Sequence, residues 1–238
     1  DLTRRTVAEF VGTALLVAVV VGSGIAAGRL SPDDVGLQLL ENAVATGGGL
    51  VAIILTLGPV SGAHLNPVVS IADAAFGGLA WRDVAAYVPA QIAGAISGSV
   101  LANLMFDLSA VDWSTKVRSG SGLWLAEAVA TAGLLLVIFG VVRSGRGSAA
   151  PFAVAAYIGA AYWFTSSTSF ANPAVTVGRA FSDTFAGIRP SSVPGFVAFQ
   201  LLGAAVAVAL IRYLYPDVRA AADGVVVPAP DPVPEEVH

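Results

Sequence analysis

Cysteine is absent from the 238 residues, methionine occurs once, histidine twice, and charged residues make up only 12% of the chain. Without cysteine there are no disulfides, thiolate metal sites or cysteine nucleophiles, and the redox compartment is unreadable. So few charges cannot clothe the surface of a soluble domain, and a net charge of −4 gives nucleic acid no electrostatic footing. The sequence also carries no nucleophile–base pair, metal-ligand cluster or phosphate-cradling loop, so it does not read as an enzyme and no cofactor is expected. What remains is apolar: 56% of residues are hydrophobic and the mean hydropathy is +0.79. That composition belongs to an integral membrane protein with the lipid bilayer as its solvent.

Six apolar stretches near 6–28, 37–58, 82–106, 121–143, 151–169 and 194–215 have about the 20 residues that a hydrocarbon core roughly 30 Å thick demands. The first is too long for the apolar region of a cleaved targeting segment and reads as a span. Two shorter pieces, 66–76 and 172–183, each open on Asn-Pro. At about 1.5 Å per residue they reach roughly 16–18 Å, only to the bilayer middle. Two such pieces end to end make one crossing.

The two halves repeat, about 6–106 and 121–215. Ala8-Glu9 matches Ala126-Glu127, Asn66-Pro67 matches Asn172-Pro173, and Gln91-Ile92-Ala93-Gly94-Ala95 matches Gln200-Leu201-Leu202-Gly203-Ala204. With three spans per half, the second copy enters from the opposite face, which is the inverted repeat of an all-α channel or transporter. With both termini cytoplasmic, Arg4, Arg5, Arg82, Arg143, Arg146, Arg212 and Arg219 lie inside, and Arg29, Lys116, Arg118, Arg179 and Arg189 lie outside. Seven against five favours that orientation.

Asparagine is a strong N-cap, and proline suits the first helical position because its missing N–H would have been unpaired anyway. If each asparagine oxygen caps a half-helix, its NH₂ is left to donate. Asn66 and Asn172 then face the middle of a pore, each at the positive end of a helix dipole, which repels cations and still serves neutral hydroxylic solutes.

The stretches Ala8-Glu9-Phe10-Val11-Gly12-Thr13, Ser61-Gly62-Ala63-His64-Leu65-Asn66-Pro67-Val68 and Asn172-Pro173-Ala174 resemble the aquaporin, or major intrinsic protein, family over about residues 5–215. The resemblance implies an aquaporin-like right-handed bundle of six transmembrane helices plus two re-entrant half-helices over residues 1–216, assembled as a homotetramer with one pore per subunit. It also implies passive conduction of water or small neutral solutes through a narrow outer filter. Val68 departs from the usual alanine of the first turn. Counting from the asparagines, the family's four filter positions fall on Thr46, Ala160, Ser169 and Val175. The family's usual arginine is replaced by Val175, and its aromatic and histidine are missing too, so the filter is expected to be wider and more apolar on one wall.

From Asn172 to Ile188 the sequence is similar to a bacterial aquaporin branch associated with arsenic resistance. That similarity implies downhill movement of trivalent arsenicals such as arsenite, with glycerol and water as alternatives, across a bacterial inner membrane. An arsenate reductase, fused or separate, is the implied source of arsenite. A coupled carrier and a non-conducting scaffold are the other classes, the first excluded by uphill transport failing, the second by any flux at all.

Glu9 and Glu127 are costly inside spans, and the resemblance implies that they brace the half-helix loops; a proton relay is the alternative. Gln91 and Gln200 are expected to bind loop backbone beside them. His64 either gates the cytoplasmic mouth by protonation or lines it as a polar contact. Arg179, one turn beyond Val175, either stands in for the lost charge or ties its half-helix to a carbonyl or to Asp183. Gly12, Gly94, Gly98, Gly133 and Gly203 read as close helix contacts. From Asp217 to His238 the chain is polar and proline-rich, a disordered tail or a linker to a fused partner.

Overall fold

Apolar runs in lipid leave backbone N–H and C=O groups only one another as partners, so the chain answers with helices. The computed structural model describes residues 1–216; the proline-rich segment expected as a tail or linker lies outside the described residues. Among the described residues eight α-helices follow in order: α1 Leu2–Leu30, α2 Val35–Ser61, α3 Pro67–Phe76, α4 Trp81–Met105, α5 Ser121–Arg143, α6 Ala150–Phe164, α7 Pro173–Gly178 and α8 Val193–Leu214. Five of them, α1, α2, α4, α5 and α8, are long and apolar enough to cross a membrane.

The fifth expected span is shorter than its apolar stretch. α6 has 15 residues and stops at Phe164, because Thr165 turns to extended backbone (φ −105°, ψ 137°) and starts the loop that leads to Asn172.

Of the two half-helices, α3 runs for 10 residues and ends at Gly77, whose φ of 95° needs no Cβ. α7 has only 6 residues and tightens into a 3₁₀ turn, Arg179–Phe181, so the α-helix stops early although the helical run nearly fills the expected 172–183. Its neighbour α4 explains the stop. Ser99 Oγ donates to the Gly178 carbonyl at 2.6 Å, pinning the last residue of α7 to α4. A Cβ on Gly178 would sit 2.6 Å from the Ala95 carbonyl oxygen, so the turn lies directly on the α4 backbone.

The halves pack alike: α1 lies against α4 and α2, and α5 lies against α8 and α6. Both tight crossings depend on glycine. A Cβ on Gly94 or Gly98 would collide with the carbonyls of Phe10 and Ala14 in α1, and one on Gly203 would collide with that of Ala128 in α5. Close backbone approach of this kind is how helices associate where lipid removes the hydrophobic drive. Gly98→Ala is therefore expected to destabilise the bundle by about 1–3 kcal/mol. Thermal unfolding in detergent reads this directly; a melting temperature equal to wild type would mean that α1 and α4 are not held by that contact.

Candidate functional site

Each half-helix begins on the same local chemistry. Asn66 Oδ1 accepts from the N–H of Val68 at 3.1 Å, and Asn172 Oδ1 accepts from the N–H groups of Ala174 and Val175 at 3.0 and 3.2 Å. Pro67 and Pro173 occupy the opening turn in each case. Val68, with a larger side chain than alanine, is wholly buried in the core, as is Ala174. The amide nitrogens then cross the molecule: Asn66 Nδ2 donates to the Ala171 carbonyl and Asn172 Nδ2 to the Leu65 carbonyl, both at 2.8 Å. An amide carries two N–H donors, so one on each asparagine has no partner in these cross-bonds.

The loops feeding the caps are built on left-handed residues, Gly62, Ala63 and Leu65 in one half, Thr168, Ser169 and Ala171 in the other. Such backbone is costly for residues with a side chain and persists only where the surroundings over-determine it. Here the surroundings are two buried carboxylates. Glu9 accepts from Ser61 Oγ and the His64 N–H on one oxygen, and from the Leu65 N–H and Gln91 Nε2 on the other, at 2.7–2.9 Å. Glu127 accepts from the Phe170 N–H, and on its second oxygen from the Ala171 N–H and Gln200 Nε2, at 2.6–2.9 Å.

Gln91 also donates to Ser70 Oγ at 3.0 Å, and Gln200 to Thr176 Oγ1 at 2.8 Å; neither amide binds loop backbone as expected, because each is spent on its glutamate and on a half-helix hydroxyl, and it reaches the loop only through that glutamate. Ser70 and Thr176 each lie four residues after their asparagine and complete the two-fold pattern. Sequence reasoning did not single them out, although that shared offset is a usable signal.

A cavity of about 470 Å³ runs between the halves. His64, Leu65, Asn66 and Asn172 line it where the half-helices meet, and Thr46, Tyr162, Ser169 and Val175 line it beyond them. Val175 and Ser169 are nearly buried, 6% and 3% exposed. The Ser169 hydroxyl has no partner among the described residues.

Ala160 is a correction. It is exposed on the outside of α6 and does not line the cavity; Val154, Ile158 and Tyr162 do. Two residues of α-helix are a rotation of about 200°, so a count that misjudges the loop by two residues lands on the opposite face. Tyr162 brings back an aromatic ring, and its hydroxyl lies 3.1 Å from Thr46 Oγ1.

His64 is buried on the cavity wall, with Nδ1 3.0 Å from Ser70 Oγ and Nε2 3.8 Å from the buried Asp73 carboxylate. Arg179 also lines the cavity, 2% exposed. Its Nε donates to the Ala186 carbonyl and its guanidinium carbon lies 3.4 Å from the centre of the Phe170 ring. Asp183 is not its partner: that carboxylate accepts from the Thr115 N–H and hydroxyl at 2.9 Å.

Arg118, expected as an outer loop charge, is instead buried behind the same ring. It donates to the carbonyls of Gly187 and Ser167 at 2.9 and 3.4 Å. Nearby Lys116 donates to the Phe185 carbonyl at 2.8 Å. Burial, and then the two arginine charges, bring its ammonium pKa down to about 8.

Comparison with known proteins bears on this arrangement. Residues 1–168 match the family model described as Major intrinsic protein. The chain is 57% identical to the aquaglyceroporin AqpS of Rhizobium meliloti (strain 1021), over 92% of this chain and 93% of that protein. It is 31% identical to the aquaporin AqpM of Methanothermobacter marburgensis, over 90% and 98%. Among solved structures, the aquaglyceroporin from Plasmodium falciparum superposes with a TM-score of 0.72 at 22% identity, covering 92% of this chain and all of that one, a likeness of fold. Paired Asn-Pro half-helices around a lined cavity, in a chain so matched, lead to one conclusion: the protein belongs to the major intrinsic protein family of membrane channels.

Proposed function

We propose that the channel's preferred cargo is undissociated arsenite, moved passively down its gradient. The observation that carries this is the outer ring, where Val175 presents an apolar wall and Thr46, Tyr162 and Ser169 present hydroxyls. An arginine at Val175 would add a fixed charge, five donors and a longer side chain. Without it the ring suits a compact neutral solute with several hydroxyls, which meets donors and acceptors on three sides and no charge beside it. The similarity to the Rhizobium aquaglyceroporin supports solutes of this kind.

Asn66 and Asn172 act in this reading as mid-pore donors at two positive helix ends, and Glu9, Glu127, Gln91 and Gln200 hold their loops in place. His64 is a polar contact on the cytoplasmic side. The reading carries a homotetramer in a bacterial inner membrane, both termini cytoplasmic, fed by a reductase that makes arsenite from arsenate.

Tyr162 favours a second reading. Its ring narrows the filter that the sequence alone made wide, which suits a water and glycerol facilitator. Stopped-flow light scattering on proteoliposomes separates the two. Arsenite and glycerol permeabilities at least about tenfold above empty vesicles are the expected result, with no uphill accumulation under an imposed proton gradient. Water permeability alone would end the arsenite proposal.

A further inference from the structure

With the filter arginine gone, the ring of Thr46, Tyr162, Ser169 and Val175 holds no charge, yet the cavity is not neutral just beyond it. Arg179 lines it one helical turn after Val175. Its Nε is committed to the Ala186 carbonyl and its plane lies on Phe170; the two Nη groups have no acceptor among the described residues. The guanidinium of Arg118 lies 5.1 Å from the centre of the same ring, fixed by carbonyls. Among the described residues no carboxylate lies within 4.0 Å of either guanidinium. Two positive charges therefore share one aromatic platform with no carboxylate in contact with either, and Glu127, bound to the Phe170 N–H, acts on them only from further off. A guanidinium this deeply buried with no ion-pair partner in contact is expensive, which points to a role for its charge.

We propose that Arg179 is the specificity-determining charge of this pore: it supplies, one turn outward from Val175, the fixed positive field that bars protons and alkali cations while the uncharged ring passes neutral solutes. The proposal rests on the channel reading above. Aperture and charge are thereby carried by different residues, Val175 setting the first and Arg179 the second. Arg118, which does not line the cavity, adds to the field from behind Phe170. Phe170 holds the Arg179 plane by cation–π contact, and its own N–H is held by Glu127.

The test compares wild type with Arg179→Gln and Arg179→Lys in proteoliposomes. Proton leak is read with an internal pH dye under a potassium diffusion potential, and glycerol and arsenite flux by light scattering. Wild type is expected to pass neutral solutes with little proton leak, Arg179→Gln to raise the leak by about tenfold or more, and Arg179→Lys to stay within about threefold of wild type.

A leak in Arg179→Gln equal to wild type overturns the inference, as does a wild type that already leaks freely. A wild type that conducts no neutral solute overturns the channel reading instead. Should Arg179→Gln fail to assemble by size-exclusion chromatography, Arg179→Met keeps the stem against Phe170 and reads the same leak.

Discussion

Val175→Arg is expected to cut arsenite and glycerol permeability by about tenfold or more while water still passes. Val175 lies in the cavity wall in the turn that Asn172 caps, so a long side chain there has only the lumen to enter. Thr46, Tyr162 and Ser169 surround that lumen, and a guanidinium would fill the space the larger solutes need. Water, with a single oxygen, can still pass between its donors. The added charge would also stand one turn from Arg179, so the pair should lower cation leak further. Light scattering with arsenite, glycerol and sucrose gradients on the same vesicles checks all three. If the arginine variant carries arsenite as fast as wild type, Val175 does not set the aperture.

The second large effect is on folding. Glu127→Leu deletes the acceptor of the Phe170 and Ala171 N–H groups and of Gln200 Nε2, leaving three buried donors unpaired. At about 1–3 kcal/mol each the loss is on the order of 3–9 kcal/mol, comparable with the whole stability of many domains. The loop it holds contains left-handed Ser169 and Ala171, which have no independent reason to keep that shape.

Little or no monodisperse protein is the expected outcome, and Glu9→Leu, which removes the acceptor of four donors, should do worse. Glu127→Gln keeps one acceptor but aims an NH₂ at an N–H, so it should be damaged less than the leucine variant and more than wild type. A proton relay makes a different forecast: a Glu127→Gln protein of normal stability with altered pH behaviour only. Thermal unfolding of the purified variants decides.

Much of this architecture was legible because membrane folding leaves little choice. An apolar run of about 20 residues must be a helix, and one of about 10 opened by Asn-Pro must stop inside the bilayer. The caps themselves follow from residue type, since Asn66 and Asn172 have few other ways to satisfy the first turn. Ala160 was misplaced for a physical reason too. A filter position found by counting from Asn172 assumes a fixed loop, whereas α6 ends at Phe164 and hands over to extended chain. The spacing Val154, Ile158, Tyr162, every fourth residue, was the better guide to the lumen face.

The early finish of α7 was not readable, because it depends on Ser99 and Ala95 of a distant helix. Nor was the depth of Arg118: charge alone says loop, and only the carbonyls of Gly187 and Ser167 make burial tolerable.

The bonds from Asn66 to Ala171 and from Asn172 to Leu65 tie the two repeats together at the centre of the pore. A carrier of this topology works by rocking one repeat against the other, and here that motion would tear out the donors the solute uses. Transport should then show no occluded state and no counterflow: flux rises in proportion to the gradient without saturating, and runs equally well in either direction across the membrane.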